Sequence, residues 1–465
     1  MSDDENETEV PDEMPPSSAL SLSVTGMGTG TLRDEFGTEQ CRSEASPCSV
    51  SGIEGSAYAL MAVADAGFLF NTWIDCPQPL GNVCTGNFLA GAHVGASFTP
   101  LVFADVSTDD IEPATLEIEL FSIRTDGSDI RRLTNMNGLA NRAVASVPAW
   151  SPDGEKIAFG ITLTPSAASP AVTTTRLAWI NAKTVALPAV PTTLVEPAAS
   201  SSVLSLAWGH NGKSIFHTVE TALDINVSES QFDASTKLLQ PSGNGIYHWA
   251  RLSSRRMAKD VLLLSNHAFE GDGILATNFW NLWDVGTGLP ITRLTDHAGS
   301  AFALSPDGNT VYIRSDRTAD GAATATVQNI FSVSRSSGEV VPITTWAQGT
   351  IHSLALSPDG TKIALGARLA LAPGEPLPTA GNLWIMNVDG TNLVAVTAMR
   401  NATVGFTRLK WDPSGKAIFA TSGRALSGAD SAAPSSNIWR YDVSTGAATP
   451  LTDAVDASRS IVEFD

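Results

Sequence analysis

Four of the seven histidines fall between residues 248 and 352: His248, His267, His297 and His352. Neutral imidazoles grouped in one place bind Zn, Mn or Ni, and unliganded they titrate near neutral pH. Asp296 beside His297, and Arg142 further up the chain, are the accessory candidates for such a site. The other chemically distinctive residues are Cys41, Cys48, Cys76 and Cys84, all in the first fifth of the chain. None has C-x-x-C spacing, which argues against zinc or redox chemistry. An even cluster with two short loops, 41–48 and 76–84, fits two local disulfides made in an oxidising compartment. Other pairings, such as Cys48 with Cys76, stay open.

Several short motifs do not carry chemistry in their context. Gly212-Lys213-Ser214 mimics the end of a phosphate-binding loop, but Ala207 stands where the motif needs its first glycine. Gly26-Met27-Gly28-Thr29-Gly30 has no strand-then-helix setting, so it is no dinucleotide fingerprint. Gly95-Ala96-Ser97-Phe98-Thr99 lacks the second glycine of a nucleophile elbow. Arg124-Thr125-Asp126-Gly127-Ser128-Asp129 has its acids in the wrong order for a calcium loop.

A repeat must position the histidines. Its first half is strand, tight turn, strand, as in Ala149-Trp150-Ser151-Pro152-Asp153-Gly154-Glu155-Lys156-Ile157-Ala158-Phe159. It recurs around Ser305-Pro306-Asp307-Gly308 and Ser357-Pro358-Asp359-Gly360, and in weaker form near 209, 254 and 412. Pro presets φ at the first corner, Asp tolerates the second, and Gly takes the positive-φ position that closes the hairpin. The second half is another hairpin, from Asn281-Leu282-Trp283 to Leu294-Thr295, Asn329-Ile330-Phe331 to Ile343-Thr344, Asn382-Leu383-Trp384 to Val396-Thr397, and Asn437-Ile438-Trp439 to Leu451-Thr452. Four strands repeating every ~50 residues without helices are the signature of propeller blades. Trp150, Trp208, Trp283, Trp384, Trp411 and Trp439 occupy equivalent strand positions and read as blade packing. Trp73 and Trp346 fall outside that register and are candidates for exposed contacts.

The Ser-Pro-Asp-Gly-x-x-Ile-Ala-Phe and Leu-Trp-x-Met-x-x-Asp-Gly…Leu-Thr pattern resembles the TolB-type, WD-like β-propeller repeat, over about residues 100–465. The resemblance implies a propeller used for protein binding, often periplasmic or surface-exposed. Similar blades occur in prolyl-oligopeptidase-like enzymes and oligogalacturonate lyases, and the repeat transfers no catalytic residue.

The expected fold is therefore all-β, a propeller of four-stranded antiparallel blades. Seven blades are expected, with six as the alternative, and closure by the C-terminal strand Ser460-Ile461-Val462-Glu463-Phe464. In a blade, the Ser-Pro-Asp-Gly turns lie on one face, and the other carries residues at the start of innermost strands, residues just after second strands, and the inter-blade loops, such as the one expected after Leu294-Thr295. That register puts His248, His267, His297 and His352, from three consecutive blades, on one sector of the second face, with Asp296 and Arg142.

The net charge of −20 excludes nonspecific binding to DNA, RNA or anionic membranes. Residues 1–44 hold eleven acids against two arginines, so 1–40 reads as a disordered acidic tether. Residues 41–98 read as a Cys-containing extension packed on the propeller, and 99–465 as the propeller. No signal peptide and no apolar run of ~20 residues is present. The abrupt acidic start resembles a lipoprotein whose signal and first Cys have been replaced by Met1, with its lipid anchor lost. The expected function is a non-catalytic, extracytoplasmic binding module, in the periplasm or at the cell surface, for a protein or polysaccharide ligand. The alternative is a metal-assisted polysaccharide lyase or hydrolase at the channel mouth. No cofactor is required, and a divalent metal is the one candidate.

Overall fold

The computed structural model describes residues 16–106, 118–135, 142–144, 148–163, 174–183, 187–195, 202–209, 212–220, 225–232, 236–240, 250–255, 260–265, 280–284, 292–298, 302–318, 324–401, 404–454, 461 and 464–465. These residues are almost entirely β, without an α-helix among them.

Strands begin at residue 17, which corrects the reading of 17–40 as part of a tether. They are β1 (Ser17–Thr25), β2 (Gly30–Asp34), β3 (Glu39–Arg42), β4 (Cys48–Ile53), β5 (Ala57–Ala64), β6 (Leu69–Ile74), β7 (Gln78–Leu80), β8 (Val83–Asn87) and β9 (His93–Thr99). The physical reason lies in β1, where Leu20, Leu22 and Val24 alternate with serines and point into a core. Acidic composition hid that period of two. Two sheets result, ordered β4-β1-β9-β6 and β3-β2-β5-β8-β7. They sandwich Leu20, Leu22, Leu32, Tyr58, Leu60, Trp73, Val94 and Phe98. Cys41–Cys48 and Cys76–Cys84 are both disulfides, and no cysteine is free. Trp73 is not exposed: it is 2% accessible, and its Nε1 donates to Gly81 O at 3.2 Å.

From residue 101 the chain runs in antiparallel meanders. Four separate four-stranded sheets span 250–298, 302–342, 350–395 and 406–450, and strands between 101 and 240 join in one twelve-stranded sheet, nine of them along one continuous path. Within that path, parallel bridges Ile118↔Ala143 and Thr175↔Ser202 link successive meanders. The inner turns form as their residues dictate. Ser151 Oγ accepts from Lys156 N at 2.9 Å, Glu155 N donates to Asp153 Oδ1 at 3.0 Å, and Gly154 sits at φ +67°. Turns at 305–310 and 357–362 repeat this pattern.

The recurring Asn and Thr form a second lock. Asn382 Oδ1 accepts from Thr397 Oγ1 and Met399 N, its Nδ2 donates to Met399 O, and Thr397 Oγ1 accepts from Leu383 N. Asn437 and Thr452 do the same with Ala454 and Ile438. Trp150, Trp208, Trp384, Trp411 and Trp439 are buried. Two of them stitch neighbouring meanders: Trp208 Nε1 donates to Ala149 O at 2.8 Å, and Trp411 Nε1 to Ala355 O at 3.0 Å.

The sandwich docks on the face that carries the inner turns. Thr25 Oγ1 donates to Asp153 O at 3.0 Å, Ser97 Oγ to Pro152 O at 2.6 Å, Asn71 Nδ2 to Ser151 O at 2.9 Å, and Met27 N to Gly154 O at 3.0 Å. Arg124, in the turn after Ile118–Ile123, lies over the Phe68 ring. Gly81, at the tip between β7 and β8, approaches Pro358 O of a distant inner turn, and a Cβ there would lie 3.0 Å from it.

Candidate functional site

Of the residues the sequence points to, His352 stands at the end of its strand away from the 357–362 inner turn. His352 is the third residue of the innermost strand Thr350–Leu356, an exposed residue between the buried Ile351 and Ser353. Ile351 is held from both sides by the preceding sheet. Its N donates to Gln328 Oε1 at 2.9 Å, and its carbonyl accepts from Arg314 Nη1. The Arg314 guanidinium therefore lies along the strand next to His352, and its buried Nε has no hydrogen-bond partner. Arg368 ends the neighbouring strand, paired with Thr350, and its Nε donates to Pro378 O at 2.5 Å. Gly381 leaves room beside the imidazole, since a Cβ there would lie 3.6 Å from His352 Cδ2 and 3.1 Å from Val404 O.

The electrostatics follow. Partial desolvation, then the charges of Arg314 and Arg368, hold the His352 imidazole below its ordinary range. Burial also lowers Arg314, opposed by the Asp316 carboxylate. These effects favour the neutral form of His352, within electrostatic reach of both guanidiniums, on a chain of net charge −20. Two forks of N–H donors beside a neutral imidazole suit a carboxylate or phosphate, which they can bind bidentately.

The structure does not bring the other predicted residues into this cluster. His248 and His267 lie outside the described residues. His297 and Asp296 fall inside a strand, Thr292–Ala298, and not in the loop expected after Thr295; the bulged pairing with Trp280–Asp284 extends the strand to Ala298. Their side chains lie outside the described set, as does that of Arg142, which opens Arg142–Val144. Among the described residues, no group of three or more His, Cys, Asp and Glu side chains could hold a metal. Trp346 is half-buried in the loop before His352's strand, with its N donating to Asn329 Oδ1 at 2.8 Å. Sequence reasoning missed Arg314 and Arg368. Both sit at ordinary strand positions: Arg314 reaches His352's strand from the preceding sheet, and Arg368 comes from the adjacent strand of its own sheet.

No family model and no curated protein matches this sequence. Solved structures do resemble it. A putative TolB from Agrobacterium tumefaciens is 17% identical over 57% of this chain and 85% of its own, with a TM-score of 0.37. TolB from Acinetobacter baumannii is 14% identical over 78% of this chain and 67% of its own, with a TM-score of 0.39. Prolyl oligopeptidase B from Galerina marginata is 11% identical over 75% of this chain and 48% of its own, with a TM-score of 0.49.

Proposed function

We propose that this chain is an extracytoplasmic β-propeller that binds an acidic segment of a protein partner on the face away from its N-terminal sandwich. The observation that carries the reading is the Arg314–His352–Arg368 cluster on that face, while the sandwich occupies inner turns on the other. Two disulfides fit an oxidising compartment.

The platform in this reading is a ring of seven blades, with the twelve-stranded sheet counted as three. Several contacts support closure by the C-terminus. Val102 and Asp465 exchange both main-chain hydrogen bonds, and Phe103 bridges Phe464 antiparallel. Asp465 Oδ2 also accepts from Trp150 N and Oδ1 from Lys410 Nζ, which ties the second and last units together. The outer turns supply a second argument. Gly390 lies against Ile343 and Gly446 against Val396, each on the preceding sheet, and Gly127 of the first unit lies against Leu451 of the last.

The test places a photo-crosslinking residue at Gln348, exposed on the proposed binding face, or at Asn309, exposed on the turn face. Products from position 348 that disappear in Arg314→Glu/Arg368→Glu support the reading. Products from 309 alone, or from 348 regardless of the charge reversal, refute it.

A further inference from the structure

The sandwich carries a hydrogen-bonded chain that the propeller reading leaves unused. Ser23 Oγ lies 2.9 Å from His93 Nε2, and His93 Nδ1 lies 3.2 Å from Asp75 Oδ2. A carboxylate only accepts, so Nδ1 carries the proton and Nε2 is left to accept from the Ser23 hydroxyl. This is the arrangement of an activated nucleophile: hydroxyl, base, and a third group orienting the base.

Three features of the fold build it. β1 and β9 pair in parallel, which sets Ser23 opposite Gly95 with His93 two residues earlier on the same face. A Cβ at residue 95 would stand 2.5 Å from Ser23 Oγ and 3.4 Å from His93 Cε1, so glycine makes the room in which hydroxyl and ring meet. Asp75 adopts φ +55°, a left-handed conformation few non-glycine residues take, directly after β6 and next to Cys76 of the Cys76–Cys84 disulfide. The array also stands beside a junction. Thr25 and Ser97, each two residues along the same strand faces from Ser23 and Gly95, hydrogen-bond the 151–154 turn. Solvent reaches it, since the His93 side chain is 36% accessible.

We propose that Ser23, His93 and Asp75 form an acyl-transfer site that cleaves small carboxylic esters on the outward face of the sandwich's β4-β1-β9-β6 sheet. Ser23 Oγ attacks the ester carbonyl carbon while its proton passes to His93 Nε2. The carbonyl re-forms, the bond to the alcohol oxygen breaks, and that oxygen takes the proton from Nε2. Water then attacks the acyl-serine by the same proton route, releasing the acid and restoring Ser23. Asp75 stabilises the imidazolium formed in each half. This activity is independent of ligand binding on the propeller face.

The experiment uses the full chain with a fluorophosphonate probe and p-nitrophenyl acetate. The expected result is one phosphonylated peptide, mapped to Ser23, and hydrolysis that falls on the order of 100-fold in Ser23→Ala and in His93→Gln. Asp75→Asn lowers the rate while leaving thermal unfolding within a few degrees of the parent. Ser21→Ala, an exposed serine on the same strand face, leaves hydrolysis unchanged. Labelling that misses Ser23, or hydrolysis unaltered in Ser23→Ala, overturns the proposal. Because fluorophosphonate labelling is read on the parent protein, a variant that failed to fold would not protect the idea.

Discussion

Phe464→Ala is the sharpest test of ring closure. Phe464 is fully buried, in a cluster that unites Leu101, Phe103 and Ile123 of the first unit with Phe419, Ile438 and Leu451 of the last. Truncating a buried phenylalanine loses its transfer free energy and leaves a cavity, together about 3–5 kcal/mol. That is a large fraction of the ~5–15 kcal/mol that holds a typical domain folded. With a urea dependence of about 3 kcal/mol per molar, the midpoint drops by about 1 M or more. Urea titration followed by tryptophan fluorescence reads this directly. Val341→Ala, at an exposed position on an outermost strand, serves as the control and shifts stability by less than about 0.5 kcal/mol. A Phe464→Ala midpoint no lower than that of the control would mean that the tail does not close the ring. Deleting 461–465 adds a second readout. It leaves the 101–106 strand with an unpaired edge, and concentration-dependent self-association should follow in gel filtration.

Acid sensitivity should trace to His217. Its side chain is buried in Ser214–Glu220, and desolvation pushes the imidazole down to about 4. The unfolded chain binds that proton near pH 6.5, so stability declines as pH falls from about 6.5 and has lost roughly 3 kcal/mol by about pH 4. Urea midpoints at pH 7, 5 and 4 should therefore converge in His217→Gln relative to the parent, and parallel pH dependence in both would refute the assignment. Asn382→Ala strands Thr397 Oγ1, Met399 N and Met399 O in a fully buried site and should cost about 2–4 kcal/mol by thermal unfolding. Gly360→Ala combines a φ of +73° with a Cβ 2.9 Å from Pro306 Cδ, so it should destabilise more than Gly55→Ala, where φ is +81° and the space is open. Equal losses in the two variants would show that turn packing between sheets contributes nothing.

What was legible in the sequence was what acts locally. The Ser-Pro-Asp-Gly turns close through contacts at most five residues apart, from Ser151 to Lys156, so their spacing carries their conformation. The Asn in front of each outer hairpin was visible as a recurrence. Its role was not, because Asn382 must meet Thr397 and Met399 across a hairpin whose register only the folded sheet defines. The strands of 17–34 were masked by their acidic surroundings, although Leu20, Leu22 and Val24 already alternate as a strand requires. The histidine reading rested on blade register: His352 stands near the start of a strand that leads into an inner turn, and the other three side chains lie outside the described residues. The guanidiniums that act on His352 come from the preceding sheet, for Arg314, and from the adjacent strand of its own sheet, for Arg368, which no spacing rule encodes. Ser23, Asp75 and His93 carry no motif at all. Seventy residues separate Ser23 from His93, and only the parallel pairing of β1 with β9 brings them together.

The position of the sandwich connects these observations. Inner turns of a propeller repeat are its most conspicuous polar residues, and on an isolated ring they would be the natural recognition surface. Here the carbonyls of Ser151, Pro152, Asp153 and Gly154 are taken by Asn71, Ser97, Thr25 and Met27. A hydrogen-bond acceptor already paired within the chain offers a ligand only an exchange, with little net gain. Donor groups near His352 are only partly taken, because Arg314 Nη1 is held by Ile351 O and Arg368 Nε by Pro378 O while Arg314 keeps a buried Nε without a partner. In the proposed reading, an anion there would be held by the remaining guanidinium N–H groups through charge-assisted hydrogen bonds. In the proposed reading, the N-terminal sandwich therefore favours binding on the face away from the 151–154 turn. Loosening the β7–β8 tip by reducing Cys76–Cys84 should free Gly81 from Pro358 and make the 357–362 turn newly accessible to hydrogen exchange, while Arg314 and Arg368 keep their surroundings. Exchange that rises equally on both faces would show that the sandwich is not what separates them.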